Sequence, residues 1–287
     1  MTIASAVIGP IIPPSFMMII YAELAEVSVA RLFVGGVVPG LIIGGALMVH
    51  IYFTVEKHGP ARFPKASWDE RVTAFRRAFW PLLSPVIVVG GMISGIVTPT
   101  EAAALAAIYA LVLGVAYREL TLAETLASIR EAVIGTAVPL FVVSTAMLFS
   151  WIVTVEQVPD QLIALLGGVI QNWWLTVIVL NIVLLLLGCV LEGLGIMILL
   201  VPVLKPIALA AGIDLIHLGV FMTVNLMIGT VTPPVGILLY VACDITECTF
   251  DEIVRAVTPF LIPLVAGLAL TTLVPETVLW LPRLLLD

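Results

Sequence analysis

Ile8-Gly9-Pro10-Ile11-Ile12-Pro13-Pro14-Ser15 and Ile228-Gly229-Thr230-Val231-Thr232-Pro233-Pro234-Val235 are two copies of one helix-breaking cassette, 220 residues apart. The register holds without a gap beyond them: Ala22 matches Ala242, Val34 matches Val254, Val37 matches Val257, Pro39 matches Pro259 and Leu41 matches Leu261. Both copies lie in strongly apolar stretches. An α-helical N–H at residue i bonds the carbonyl of residue i−4, and proline has no N–H to give. Pro13 and Pro14 are therefore expected to strand the carbonyls of Gly9 and Pro10, and Pro233 and Pro234 those of Gly229 and Thr230. In hydrocarbon an unsatisfied backbone group is costly, so such a break persists only where it is buried in protein or lines a cavity. Carbonyls beside hydroxyls and an amide (Ser5, Ser15, Asn225, Thr230, Thr232) are the oxygens that a hard monovalent cation needs. Paired broken helices in corresponding halves of a membrane protein point to a transporter's site. A proline kink that only shapes packing is the other reading, and two copies in register weigh against it.

Composition sets the solvent. The chain is 62% hydrophobic and 11% charged, with a mean hydropathy of +1.23, which excludes a soluble globular domain and predicts an all-α polytopic membrane protein. Apolar runs long enough to cross a bilayer fall at 32–53, 79–97, 102–117 and 135–155, with further candidates at 173–190, 195–211, 215–243 and 257–274. No stretch alternates as a barrel strand does. Cys189, Cys243 and Cys248 lack metal-like spacing and read as small packing residues. His50, His58 and His217 sit near span ends and read as interfacial packing. No Ser/His, His-x-x-x-His or paired-aspartate constellation lies in a span, so enzymatic chemistry is not expected.

Six of the twelve basic residues fall between Lys57 and Arg77 (Lys57, Arg62, Lys65, Arg71, Arg76 and Arg77). By the positive-inside rule this segment is cytoplasmic. Counting spans from it, the first broken helix runs outward and the second inward, which makes the pair an inverted repeat. The stretches 67–77 and 120–131 read as amphipathic helices abutting spans at the cytoplasmic surface, or as plain connecting arms.

The runs 173–190 and 195–211 flank the tip Leu191-Glu192-Gly193-Leu194-Gly195 and read as a re-entrant hairpin. A carboxylate at mid-membrane is expensive and usually functional; the competing reading is a loop acid that reaches water. Gly193 and Gly195 either let backbone approach a ligand closely or make the turn. Lys205 is expected to snorkel to the interface. Ser94-Gly95-Ile96-Val97-Thr98-Pro99-Thr100-Glu101 is a third break, in which Thr98 or Thr100 caps the next helix and Glu101 favours its first turn.

These motifs carry a family resemblance. IGPIIPPS at 8–15 with Tyr21-Ala22, LFVGGVVPGLIIG at 32–44 and GIVTPTEAAALAAIYALVLG at 95–114 resemble the large permease subunit of tripartite ATP-independent periplasmic (TRAP) transporters, the DctM-like family. EGLGIMILLVPVLKPIA at 192–208, GIDLIHLGVFMTVNLMIGTVTPPVG at 212–236 and VPETVLWLPRLL at 274–285 continue the likeness over essentially the whole chain. The resemblance implies an elevator-type secondary transporter of the ion-transporter superfamily in the bacterial inner membrane. Transport-domain elements would be 1–27 and 173–245, with 28–172 and 246–287 mainly scaffold and arm helices. Sodium, with no other cofactor, would bind at the broken helices and hairpin tips: at Ser5, Gly9 and Pro10 in the first site, and at Gly193, Asn225, Gly229, Thr230 and Thr232 in the second. Ser15, Glu192 and Gly195 would face the substrate. Implied partners are a small four-helix permease subunit, a periplasmic solute-binding protein, an organic-acid substrate such as a C4-dicarboxylate or sialic acid, and membrane lipid, but no nucleic acid. Family members carry a first hairpin and scaffold helices ahead of the IPPS cassette, so the sequence is expected to match the C-terminal two-thirds of such a subunit. A dicarboxylate/sodium symporter without a binding protein, and a non-transporting membrane scaffold, are the alternatives.

Overall fold

A computed structural model describes residues 1–55 and 65–286. Among them every regular element is a helix: α1 (Thr2–Ala6), α2 (Phe16–Ala25), α3 (Val29–Val55), α4 (Trp68–Ile93), α5 (Pro99–Ala116), α6 (Leu122–Val155) and α7 (Val158–Ile170). The rest are α8 (Trp173–Gly188), α9 (Gly193–Ala210), α10 (Leu215–Gly229), α11 (Ile237–Thr246), α12 (Phe250–Leu273) and α13 (Glu276–Leu286). Six of these (α3, α4, α5, α6, α9 and α12) are long and apolar enough to cross a membrane. The chain is a multi-pass helical membrane protein. Lys57, His58 and Arg62 of the basic segment lie outside the described residues.

Both cassettes break their helices as their prolines require. The first separates α1 from α2 and the second separates α10 from α11, and the proline doublet has a cis peptide bond in each. The 220-residue register then carries through to the elements. Phe16, the first residue of α2, matches Gly236, which caps α11, and α3 matches α12 almost end to end. Start signals are local: Ser15 Oγ accepts from Met18 N, Asp214 Oδ1 accepts from Ile216 N at 2.7 Å, and Thr249 with Glu252 forms a capping box at α12.

The chain divides into two compact units, residues Met1–Thr54 with Val142–Asp287, and residues Val55–Phe141. In the first, Ala4, Val7 and Ile11 share one buried core with Val224, Ile228 and Val231. Ala4 and Ile11 are the register matches of Val224 and Val231, so corresponding positions of the two copies meet in the centre. The face of α3 against the first cassette is glycine: a Cβ on Gly36 would collide with the Ile11 carbonyl, and one on Gly40 with the Ile12 side chain. His217 differs from its expected interfacial setting. It is 1% exposed, stacked 6.3 Å from Trp173, and its Nε2 lies 3.0 Å from the Thr271 carbonyl. Its ring thus joins α8, α10 and α12. Lys205 Nζ binds the exposed Glu26 Oε2 at 2.7 Å and ties α9 to the end of α2. That ammonium holds the exposed Glu26 carboxyl below the ordinary glutamate range.

In the second unit the segment 67–77 is continuous with the span after it, forming the single helix α4 despite Pro81 and Pro85. Pro81 withholds the N–H that the Arg77 carbonyl would otherwise accept. Tyr117 Oη of α5 donates to that carbonyl at 3.4 Å, and Tyr109 Oη donates to the Trp80 carbonyl at 2.8 Å. The Arg77 carbonyl, which Pro81 frees, is thus met by a hydroxyl from the end of the neighbouring helix. The third break lies at 94–98 and is a cap: Thr98 accepts from Glu101 N at 3.3 Å, while Glu101 Oε2 accepts from Thr98 N at 2.7 Å. The stretch 120–131 likewise runs without interruption into the 34-residue α6, because nothing between Leu122 and Pro139 breaks a helix.

Candidate functional site

The second cassette is the better defined of the two. Gly229 is buried against Gly188, the last residue of α8, so closely that a Cβ on Gly229 would lie 2.5–2.7 Å from the Gly188 backbone. One residue on, the Cys189 carbonyl accepts from Val235 N at 3.1 Å and from Gly236 N at 3.2 Å. A helix leaves its last carbonyls without intrahelical donors. Here the end of α8 supplies such a carbonyl to the N–H groups that follow the proline doublet. Gly236 has φ +51°, a left-handed conformation that glycine adopts without strain, and this turns the chain into α11.

The carbonyls expected to be stranded in this cassette are not stranded. Thr232 N donates to the Gly229 carbonyl at 3.0 Å and Leu238 N to the Thr230 carbonyl at 3.0 Å. A tight turn closes on the first, and the chain folds back after the doublet onto the second. Among the described residues no donor reaches the carbonyls of Val231 and Thr232, the next two along, nor those of Pro233, Pro234 and Val235 after them. The hydroxyls point their protons away from any ligand: Thr230 Oγ1 donates to the Met227 carbonyl at 2.6 Å and Thr232 Oγ1 to the Ile228 carbonyl at 2.7 Å. With the proton committed, each hydroxyl offers its surroundings only lone pairs. An oxygen arranged in this way accepts or coordinates. It does not donate to an anion.

In the first cassette the matched groups are open. Gly9 is exposed, a Cβ there would meet only the Ala6 carbonyl at 3.4 Å, and no donor reaches the Gly9 or Pro10 carbonyl among the described residues. Ser5 is exposed and its Oγ donates to the Thr2 carbonyl at 3.0 Å. Ser15 is buried, with its Oγ spent on capping α2. The N–H groups of Ser15 and Phe16, which match those of Val235 and Gly236, have no acceptor among the described residues.

The α8–α9 tip lies between these features. Beyond Gly188 and Cys189 on the second cassette, Gly193 is buried where a Cβ would sit 3.4 Å from Met17 Cε and 3.5 Å from Leu226 Cβ. Met17 follows the first cassette directly, so the tip touches one repeat at its break and the other just past it. Glu192 is exposed, and its carboxylate accepts from Leu194 N at 2.9 Å and Gly195 N at 2.8 Å. It is the N-cap of α9. Asn225, four residues before Gly229, has its amide nitrogen engaged by Asn181 of α8. Gly188, Cys189 and Asn181 are absent from the sequence-derived site. Asn181 carried a signal: it is a lone amide in the run Val177–Leu187 of aliphatic residues, and polar groups inside spans are rarely idle. The part of Cys189 is played by its backbone, which no side-chain pattern reveals.

Comparison with known proteins agrees with this architecture. The sequence profile of the tripartite ATP-independent periplasmic transporter DctM component matches residues 1–277. The chain is 43% identical over its full length to the sialic acid TRAP transporter large permease protein SiaM of Vibrio cholerae, covering 67% of that protein. It is 40% identical over 96% of its length to the C4-dicarboxylate TRAP transporter large permease protein DctM of Pseudomonas aeruginosa, covering 65% of it. To the 2,3-diketo-L-gulonate TRAP transporter large permease protein YiaN of Escherichia coli it is 35% identical, again covering 65%. The chain thus spans about two-thirds of the length of these large permeases.

Proposed function

Because the chain belongs to the DctM component family of tripartite ATP-independent periplasmic transporters, we propose that it forms the translocating part of a sodium-coupled, binding-protein-dependent importer of small organic acids. The observation that carries this reading is the α8–α9 tip, seated on the second cassette through Gly188 and Cys189 and beside the first repeat through Gly193. Residues 1–27 and 173–245 act as transport elements, and 28–172 with 246–287 act mainly as scaffold and arms. A sodium ion at the second cassette takes the lone pairs of Thr230 and Thr232 and the free backbone oxygens that follow Gly229, close to Gly193. A second ion at Ser5, Gly9 and Pro10 takes the open carbonyls of the first cassette. Neutral oxygens favour an alkali ion over a proton as the coupling species.

The substrate is an organic acid of the kind named for the relatives, a C4-dicarboxylate or sialic acid, held near Ser15, Glu192 and Gly195. Ion binding stiffens the cassette and the tip together, so the acid meets an ordered seat only when sodium is present. A small four-helix subunit and a periplasmic solute-binding protein complete the system, which works in the bacterial inner membrane. Uptake by the intact transporter in proteoliposomes, with its partner subunits and with or without a sodium gradient, tests this. Sodium-stimulated uptake is expected, and Thr232→Val is expected to raise the half-saturating sodium concentration at least tenfold. Uptake indifferent to sodium in the unmodified protein refutes the coupling.

A further inference from the structure

Three side chains outside the cassettes form a polar network in the centre of the first unit. Asn225 of α10 is completely buried, and its Nδ2 donates to both the backbone oxygen and Oδ1 of Asn181 in α8, each at 2.9 Å. Thr272 of α12 donates to the same Asn181 Oδ1 at 3.3 Å, and Asn181 Nδ2 donates to the Val177 carbonyl at 2.8 Å. One atom is left over. Asn225 Oδ1 is buried without a hydrogen-bond partner among the described residues.

An unpaired buried acceptor is a net cost to folding, and an apolar residue of similar volume avoids it. Stability therefore does not explain an asparagine here. Ligation of the cassette ion does not explain it either. Helical side chains tilt towards the N-terminus, and the amide is held at Asn181, seven residues before Gly188 and roughly 10 Å short of it along α8. What the amide does is join α8 to α10 at a second point. The Gly188–Gly229 contact is one pivot, at which two backbones touch and no side chain prevents sliding. The Asn181–Asn225 link is a polar point on the same pair of helices, between that contact and the Trp173–His217 stack at their N-terminal ends, and it holds the register near the cassette.

We propose that Asn225 and Asn181 are positioning residues: they lock α8 against α10 and so hold the Cys189 carbonyl and the Gly229–Thr232 backbone in the arrangement that binds the coupling ion. This rests on the sodium reading above. The link sets the affinity of the ion seat without touching the ion.

Asn225→Leu is a clean probe, because it removes the orphan and creates no other. Asn181 Oδ1 keeps the Thr272 donor and Asn181 Nδ2 keeps the Val177 carbonyl. In the intact transporter the melting temperature is expected to stay equal or rise, while half-saturating sodium rises at least fivefold. The maximal rate at saturating sodium stays within twofold, and half-saturating substrate measured there is unchanged. Asn181→Leu shifts sodium in the same direction, and the double variant is no worse than the worse single one, because both break the same link. An unchanged sodium half-saturation in Asn225→Leu overturns the proposal. So does a double variant whose loss is the product of the two single losses, which would mean that Asn225 meets the ion independently. If Asn225→Leu does not fold, Asn181→Leu decides alone, and an unchanged sodium half-saturation in it is the overturning result. A protein with no sodium response before mutation removes the sodium reading itself, and is told apart from these outcomes by that control.

Discussion

The two cassettes differ in sequence at four of their eight positions, and they differ in the groups that meet their broken ends. In the second, Gly229 is pressed onto Gly188 and the N–H groups after the prolines are taken by the Cys189 carbonyl. In the first, Gly9 is exposed, the matched N–H groups of Ser15 and Phe16 find no acceptor among the described residues, and packing comes from α3 at Gly36 and Gly40 and from the shared core around Ile11. The lesson concerns what a proline doublet encodes. It interrupts the helix by itself, since the missing N–H and fixed φ act within the segment. It does not determine which group comes to the broken ends, and that neighbour decides whether the break is a seat or a bare surface.

The contrast can be broken most sharply at its glycines. Gly229→Ala is expected to cost about 1–3 kcal/mol by overpacking, read as a lower melting temperature of the purified chain, and to depress uptake by the intact transporter severely. Gly9→Ala, in the matched position, leaves the melting temperature of this chain nearly unchanged. Equal effects at the two positions would dissolve the comparison. Next in size is Gly36→Ala, whose added methyl has no room beside the Ile11 carbonyl and Met18; it should lower the melting temperature, while Ala256→Gly at the matched place in α12 changes it by less. A smaller loss, on the order of 0.5–1.5 kcal/mol, is expected for Tyr117→Phe, which withdraws the hydroxyl from the Arg77 carbonyl that Pro81 sets free. Urea or thermal unfolding of this variant beside Tyr109→Phe would separate the two hydroxyls.

The smallest effect belongs to Glu26 and Lys205. Lysine binding lowers the folded-state pKa of Glu26 below its unfolded value. A depressed carboxyl contributes stability above the unfolded pKa of roughly 4.3 and loses it as pH falls through the folded value. Melting temperatures of the unmodified chain and Glu26→Gln should therefore differ slightly at neutral pH and converge in acid. A difference that persists below the glutamate range would assign the effect to packing, not charge.

Much of this was legible in the sequence, for reasons that vary by element. Thr98 with Glu101 and Thr249 with Glu252 are capping boxes spelled by residues three apart, and the structure contains both. The breaks at 7–15 and 230–236 follow from prolines alone. The two amphipathic segments, read as abutting helices or as connecting arms, run on into spans as α4 and α6; in α4 the Arg77 carbonyl freed by Pro81 is served by Tyr117, which is 40 residues away. The carbonyls expected to be bare at Gly229 and Thr230 are bonded, the first by a tight turn to Thr232 N and the second because the chain after the doublet folds back to bring Leu238 N. Neither partner could be named from i−4 arithmetic.

Sequence by itself determined the solvent, the class of fold, the location of both breaks and their pairing, since composition, helix length and the absence of a proline N–H are local properties of the chain. Tertiary structure alone decided that Cys189 answers the second break, that the Asn225 amide nitrogen reaches Asn181, and that the hydroxyls of Thr230 and Thr232 turn their protons inward. Those outcomes depend on which backbone groups from distant segments arrive within about 3 Å, and packing, not pattern, sets that distance.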